Sequence, residues 1–198
     1  MKNPSFRFFA IVALFFATAC ATPQPQSTNA LDFSKEPTIN LNVANIEIIE
    51  AYQSPFAAPN IEHLMPTSPT EAMKIWVHDR LRATGSSKLL QVTIVDAPVI
   101  ATDLPKTRGI KGVFTVDQDK KYDARLEVEL RIYGDGAISE ANTSVAVTRT
   151  ITIPENASVN SRRAAYEKMI KDMMEMLDNK LEKNIQSYFG NYLSYSGN

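Results

Sequence analysis

The segment from Tyr122 to Tyr133 constrains the fold more than any other. Tyr122, Ala124, Leu126, Val128, Leu130 and Ile132 fall on one parity, and Arg125, Glu127, Glu129 and Arg131 on the other. Such a strict period of two is that of a β-strand with one apolar and one solvated face. A sheet built on it is antiparallel in character and covered on one side only. The cover must come from helices, and the sequence offers two. Ala72, Met73, Trp76, Val77 and Leu81 form one apolar stripe. Tyr166, Ile170, Met173, Leu177, Leu181, Ile185, Tyr188 and Tyr192 form a longer one at spacings of three and four.

The remaining elements fit around these. Ile39, Leu41 and Val43 alternate, and the apolar parity then changes to Ile46 and Ile48. That slip predicts one strand over 38–50, bulged near Ala44-Asn45. Residues 51–68 read as a proline-rich loop whose Phe56, Ile61, Leu64 and Met65 must lie on something. Ser68, Pro69 and Glu71 make a helix start, with Gly85 as its expected end. A second strand is expected over about 88–100, with Pro98 at an edge or marking its end. A loop or hairpin arm follows over 101–121. Gly134-Asp135-Gly136 signals a turn into a last strand over about 138–153, with Val145, Val147, Ile151 and Ile153 inward. The long helix is expected from about Ser161 for about 28 residues. The predicted fold is α+β, a two-layer sandwich. Its four-stranded, mostly antiparallel sheet carries two helices on one face, in the order β-α-β-β-β-α.

The first twenty residues say where such a domain goes. Lys2 and Arg7 precede nine consecutive apolar residues, Phe8 to Phe16, and the run is too short to span a bilayer. This is the pattern of a secretory signal peptide. Its end, Ala17-Thr18-Ala19-Cys20, resembles the lipobox of bacterial lipoproteins, with Ala17 where Leu or Val is usual. The resemblance implies cleavage between Ala19 and Cys20, a thioether-linked diacylglycerol on Cys20 and acylation of its new amino group. Palmitate-type chains in that number suffice for stable anchoring. Ala21 in the next position, where aspartate would imply retention in the inner membrane, implies delivery to the outer membrane, facing the periplasm. The division is then signal peptide 1–19, lipidated Cys20 and flexible tether 20–37, and one domain over 38–194. Leu31 and Phe33 within the tether are apolar enough to dock on the body.

The lone cysteine excludes an intrachain disulfide, and with two histidines it argues against structural zinc. Loss of Lys2 and Arg7 leaves 19 basic against 22 acidic side chains, so bulk charge gives no case for nucleic acid. Lipobox, tether and element order together resemble the small LptE-, PqiC- and LpoB-type periplasmic lipoproteins. The resemblance is architectural and carries no binding residue over. It implies a non-catalytic accessory or binding subunit in envelope assembly or lipid transport, with an envelope protein as partner. The alternative is a lipid or small-amphiphile carrier, with its ligand between helices and sheet and methionines in the lining.

No active site is expected, and no cofactor or metal. His63 and His78 have no second ligand nearby in sequence. Glu127 and Glu129 are flanked by Arg125 and Arg131, which keeps them ionised rather than acid-competent. Asp117, Asp119 and Asp123 lack the glycine and distal glutamate of a calcium loop. Two groups remain as candidate partner or lipid contacts. One is basic: Lys106, Arg108, Lys111, Lys120 and Lys121 around Phe114. The other is the aromatic tail of Tyr188, Phe189 and Tyr192.

Overall fold

The structure is a computed structural model and describes residues 31–105 and 118–194. The chain runs β1 (Ile39–Leu41), β2 (Asn45–Glu50), α1 (Pro69–Arg80), β3 (Leu81–Ala83), β4 (Leu89–Asp96), β5 (Val99–Asp103), β6 (Gln118–Tyr133), β7 (Ser139–Pro154) and α2 (Val159–Tyr188). The fold is α+β, with open sheets and two helices.

The main sheet has five strands, one more than the sequence suggests, but they occupy four lanes. β6 is the central strand. β7 pairs antiparallel along one side of it, while β4 and β5 share the other. β4 and β5 are the single predicted strand, broken where the register shifts beside Pro98. Proline has no N–H to give to the ladder, so the lane is interrupted there and resumes at Val99. β2 completes the sheet as a parallel edge on β4.

The predicted strand over 38–50 divides more deeply. Its parity slip at Ala44-Asn45 is no bulge within one strand. β1 leaves the main sheet and pairs parallel with β3. The same slip that turns Ile46 and Ile48 inward thus moves the chain between two sheets. The C-terminal residues lie on β1 too, through Asn42 N–H to the Tyr192 carbonyl at 2.7 Å and Ser194 N–H to the Asn40 carbonyl at 2.9 Å.

Helix α1 starts as expected: Ser68 Oγ accepts from the Glu71 N–H at 3.1 Å, with Pro69 in the first turn. It ends at Arg80, before Gly85, because Leu81 turns extended and enters β3. Gly85 serves close packing instead. A Cβ there would stand 2.7 Å from the Asn42 carbonyl carbon and 2.8 Å from the Val43 nitrogen, both backbone atoms. Gly85→Ala is therefore expected to cost about 1–3 kcal/mol by overpacking, read as a lower urea midpoint.

Helix α2 begins two residues earlier than predicted, at Val159, capped by Ser158 Oγ on the Ser161 N–H at 3.1 Å. Between helices and sheet lies one continuous core. It contains Trp76, Leu126, Leu130, Met169, Met173 and Leu177, among others. Met169, Met173 and Met174 fill this layer as core side chains. The body also begins earlier than 38. Phe33 is buried, and its N–H donates to Asp79 Oδ2 at 3.1 Å.

Candidate functional site

Four surfaces follow from these elements. The first is the open face of the sheet. There Arg125 pairs with Glu127 and with Asp96, the latter at 3.2 Å, and Arg131 pairs with Glu129. Both glutamates are bonded to guanidinium groups, so the strand carries a ladder of ion pairs. Asp123 is bound by Lys121 at 2.9 Å and by the Thr150 hydroxyl at 2.7 Å, and these bonds hold its carboxyl below the ordinary value. Among the described residues no three His, Cys, Asp or Glu side chains gather to hold a metal.

The second is the basic arm. Lys106, Arg108, Lys111 and Phe114 lie outside the described residues, as do Ala19 and Cys20. Lys120 reaches Asp103 at 2.8 Å. Lys120 and Lys121 are thus both ion-paired in the sheet.

The third is the C-terminal tail, where the three candidate residues separate. Tyr188 is exposed. Phe189 is wholly buried and belongs to the core, which removes it from any contact surface. Tyr192 is half-buried; its hydroxyl donates to Glu140 Oε2 at 3.0 Å, and Lys88 stands 5.8 Å from its ring centre. Lys88 also binds Glu140 at 2.6 Å, and the Lys88 and Tyr192 bonds together lower the Glu140 carboxyl.

The fourth is the loop from Ala51 to Ser68, whose anchor escapes sequence reasoning. Glu62 is buried, 3% exposed, with no basic side chain among its hydrogen-bond partners. Its carboxylate accepts from Tyr52 Oη at 2.6 Å, Ser54 Oγ at 2.7 Å, Asn60 Nδ2 at 3.3 Å and the Val99 N–H at 3.1 Å. Burial pushes the carboxyl up, but the bonds from Tyr52, Ser54 and backbone N–H groups outweigh it and leave it below the ordinary value. Burial and the bond to Glu62 raise the Tyr52 hydroxyl. Ser54 Oγ in turn accepts from the Phe56 N–H at 3.4 Å. Phe56 has φ +53°, a left-handed conformation unusual for an aromatic residue. Its ring packs on His63 at 5.5 Å and is otherwise exposed. Leu64, Met65 and Pro66 then line a shallow depression with Val159, Arg162, Arg163 and Tyr166 of α2. His78, the other histidine, is exposed and sits 3.0 Å from Asp79.

A second buried polar cluster joins the helices. Arg80 is 1% exposed. Its Nε donates to Asp178 Oδ1 and its second guanidinium nitrogen to Glu182 Oε2, both at 2.9 Å. Its remaining nitrogen donates to the Pro37 carbonyl. Trp76 Nε1 donates to the same Asp178 oxygen at 2.7 Å. One side chain therefore ties α1, α2 and the incoming N-terminal segment together.

No protein-family model matches the sequence, and no curated protein does. Solved structures that match in part of their fold include bacterial lipoproteins. A minor lipoprotein from Acinetobacter baumannii matches with TM-score 0.40 and 10% identity, over 80% of this chain and 99% of that one. Rare lipoprotein B from Shewanella oneidensis matches with TM-score 0.33 and 9% identity, over 72% and 97%. Lipoprotein GNA1162 from Neisseria meningitidis matches with TM-score 0.28 and 9% identity, over 71% and 99%. Likenesses this distant transfer no residue and no role. Among the described residues no helix is long and apolar enough to cross a membrane.

Proposed function

We propose that the chain is a lipid-anchored lipoprotein of the outer membrane that faces the periplasm and acts there as a non-catalytic accessory subunit in envelope assembly or lipid transport. The observation that carries this reading is the position of the only cysteine. Cys20 closes a short apolar leader and stands about 13 residues before Phe33 docks on the body. A chain of that length reaches roughly 45 Å at full extension. The body is thereby kept near a bilayer yet free to meet a partner. The polar open face and the exposed side chains of loop 51–68 are the surfaces it offers. The carrier alternative, with a ligand between helices and sheet, gains no support from the core, where methionines and Trp76 fill that layer.

Crosslinking in intact envelopes, followed by detergent extraction and affinity recovery of the tagged chain, tests the accessory role. The expected result is one envelope protein recovered in fixed ratio to the chain, and lost when Cys20→Ser misplaces the body. Recovery of no specific protein after crosslinking would contradict it.

A further inference from the structure

A sheet presents unpaired backbone groups wherever an outer strand lacks a neighbour. Two of the outer strands here have cover. The free side of β5 is taken by the loop: Ile61 N–H donates to the Val99 carbonyl and Ala101 N–H to the Pro59 carbonyl, both at 2.9 Å. Helix α2 lies along β7, where Lys180 Nζ donates to the Ala146 carbonyl at 3.4 Å and Asn184 Nδ2 to the Thr143 hydroxyl at 2.8 Å. β2 differs. It pairs with β4 alone, and among the described residues no hydrogen bond reaches its other side. Ala44 N–H donates to the Ser87 carbonyl at 2.9 Å, and this sets the ladder. Alternate residues from Ala44 onward turn their N–H and C=O groups to β4, so Asn45, Glu47 and Ile49 turn theirs outward. Burial follows the same division. Leu90 and Val92 of β4 are wholly buried on the helix side, whereas Ile46 and Ile48, their partners on β2, are only half-buried.

We infer that the outer edge of β2 is the docking site for an extended strand of the partner protein, one that sets Lys or Arg opposite Glu47 and apolar side chains beside Ile46 and Ile48. Backbone N–H and C=O groups spaced for a ladder accept one shape of occupant, another extended chain. Its side-chain pattern follows from the two faces of β2. On the helix side, apolar neighbours would complete the burial of Ile46 and Ile48. On the open face, Asp123, Glu127 and Glu129 are each bound by a lysine or an arginine. Glu47 shares that face and has no basic partner among the described residues. A basic side chain directly across from it supplies the missing one. The same carboxylate turns away a second copy of the chain. Two β2 strands related by a two-fold axis pair all three outward residues only in the register that sets Glu47 against Glu47, and like charges directly opposite are destabilising. That the strand belongs to an envelope protein rests on the accessory role proposed above; the pairing chemistry of the edge does not.

The test uses the full chain in detergent and a capped peptide of alternating valine and lysine, with a peptide of alternating valine and glutamate as the charge control. Amide exchange reads the edge directly. The Glu47 and Ile49 N–H groups are the ones a new strand would bond, while those of Ile46 and Ile48 already face β4. The lysine peptide, at ten times its Kd, is expected to slow exchange at Glu47 and Ile49 about ten-fold and to change Ile46 and Ile48 far less. Glu47→Lys should weaken binding of the lysine peptide about five-fold and strengthen that of the glutamate peptide by a similar factor. Ile49→Pro removes one outward N–H, leaves the β4 ladder its bonds, and should weaken both peptides. Unchanged exchange along β4 shows that each variant keeps its sheet. No slowing at Glu47 and Ile49, or equal binding of both peptides by wild type and Glu47→Lys, overturns the inference. So does slowing that grows with protein concentration in the absence of peptide, which assigns the edge to a second copy. In crosslinked envelopes, a partner recovered in fixed ratio with the Glu47→Lys, Ile49→Pro double variant keeps the accessory role and overturns the edge. Peptide binding as expected, with no envelope protein recovered, keeps the edge and overturns the accessory role.

Discussion

Arg80→Ala is expected to destabilise the body by about 3–5 kcal/mol, the usual cost of breaking a buried ion pair from one side. In a domain of this size, at roughly 2–4 °C per kcal/mol, that is a fall in Tm of roughly 10 °C. Asp178, held at the α1–α2 contact, would lose its guanidinium partner and keep only the Trp76 N–H. The Pro37 carbonyl would lose its donor as well, so the N-terminal segment should loosen. Amide exchange at Phe33 reads this directly, because its N–H is bound to the neighbouring Asp79. A double-mutant cycle with Asp178→Asn separates the pair from its surroundings: the two losses should fall well short of adding. Additive losses would mean that Arg80 stabilises through packing alone.

Glu62→Leu is expected to cost about 3 kcal/mol or more, because Tyr52, Ser54 and the Val99 N–H would each lose an acceptor beside a buried site. Glu62→Gln keeps the shape but turns an acceptor into a donor, and should cost about 1–3 kcal/mol. The two carboxyl states also give this position a pH signature. The folded carboxyl lies below its ordinary value, so the unfolded chain takes up the proton first as pH falls. The stabilisation is complete above the unfolded value of about 4.3 and fades as pH drops through the folded one. Asp123, Glu140 and Asp172 are also lowered, chiefly by bonds to lysines, and contribute to acid sensitivity in the same direction. The difference between wild type and Glu62→Gln isolates Glu62. Measured by urea unfolding, it should narrow between about pH 5 and pH 3. A gap independent of pH would mean that folding leaves the carboxyl's titration unshifted, and a gap that widens toward acid would mean that the fold holds it protonated.

These two clusters mark where sequence reading stops. The alternation of β6 and β7 was legible because each side chain's face follows from backbone geometry alone. The same holds for Ser68, whose partner lies three residues away. The division of residues 38–50 between two sheets was not legible, because a parity slip reads alike whether the chain bulges or changes partner. β3 leaves no sequence signal because three residues carry too little pattern, and Gly85 reads as a helix end because its neighbours in space are distant in sequence. Arg80 did leave a signal. It lies four residues after Trp76 on the same apolar stripe, and Asp178 and Glu182 repeat that spacing on α2. A cation on an apolar face, matched by two carboxylates on another helix, reads as a buried bridge. Glu62 left none, since its partners are assembled by a loop and a strand edge. Of the tail aromatics, Phe189 and Tyr192 separate by burial, which depends on how α2 ends.

Anchoring to the bilayer depends on the chemistry of one side chain, Cys20. Intact-mass analysis of the chain extracted from membranes of its native cell measures it directly. The predicted species begins at Cys20 and carries the added mass of a diacylglyceryl thioether and an N-acyl group. A chain that retains its leader, or one that begins near Cys20 with a free thiol and no acyl mass, would contradict the anchor and the role built on it.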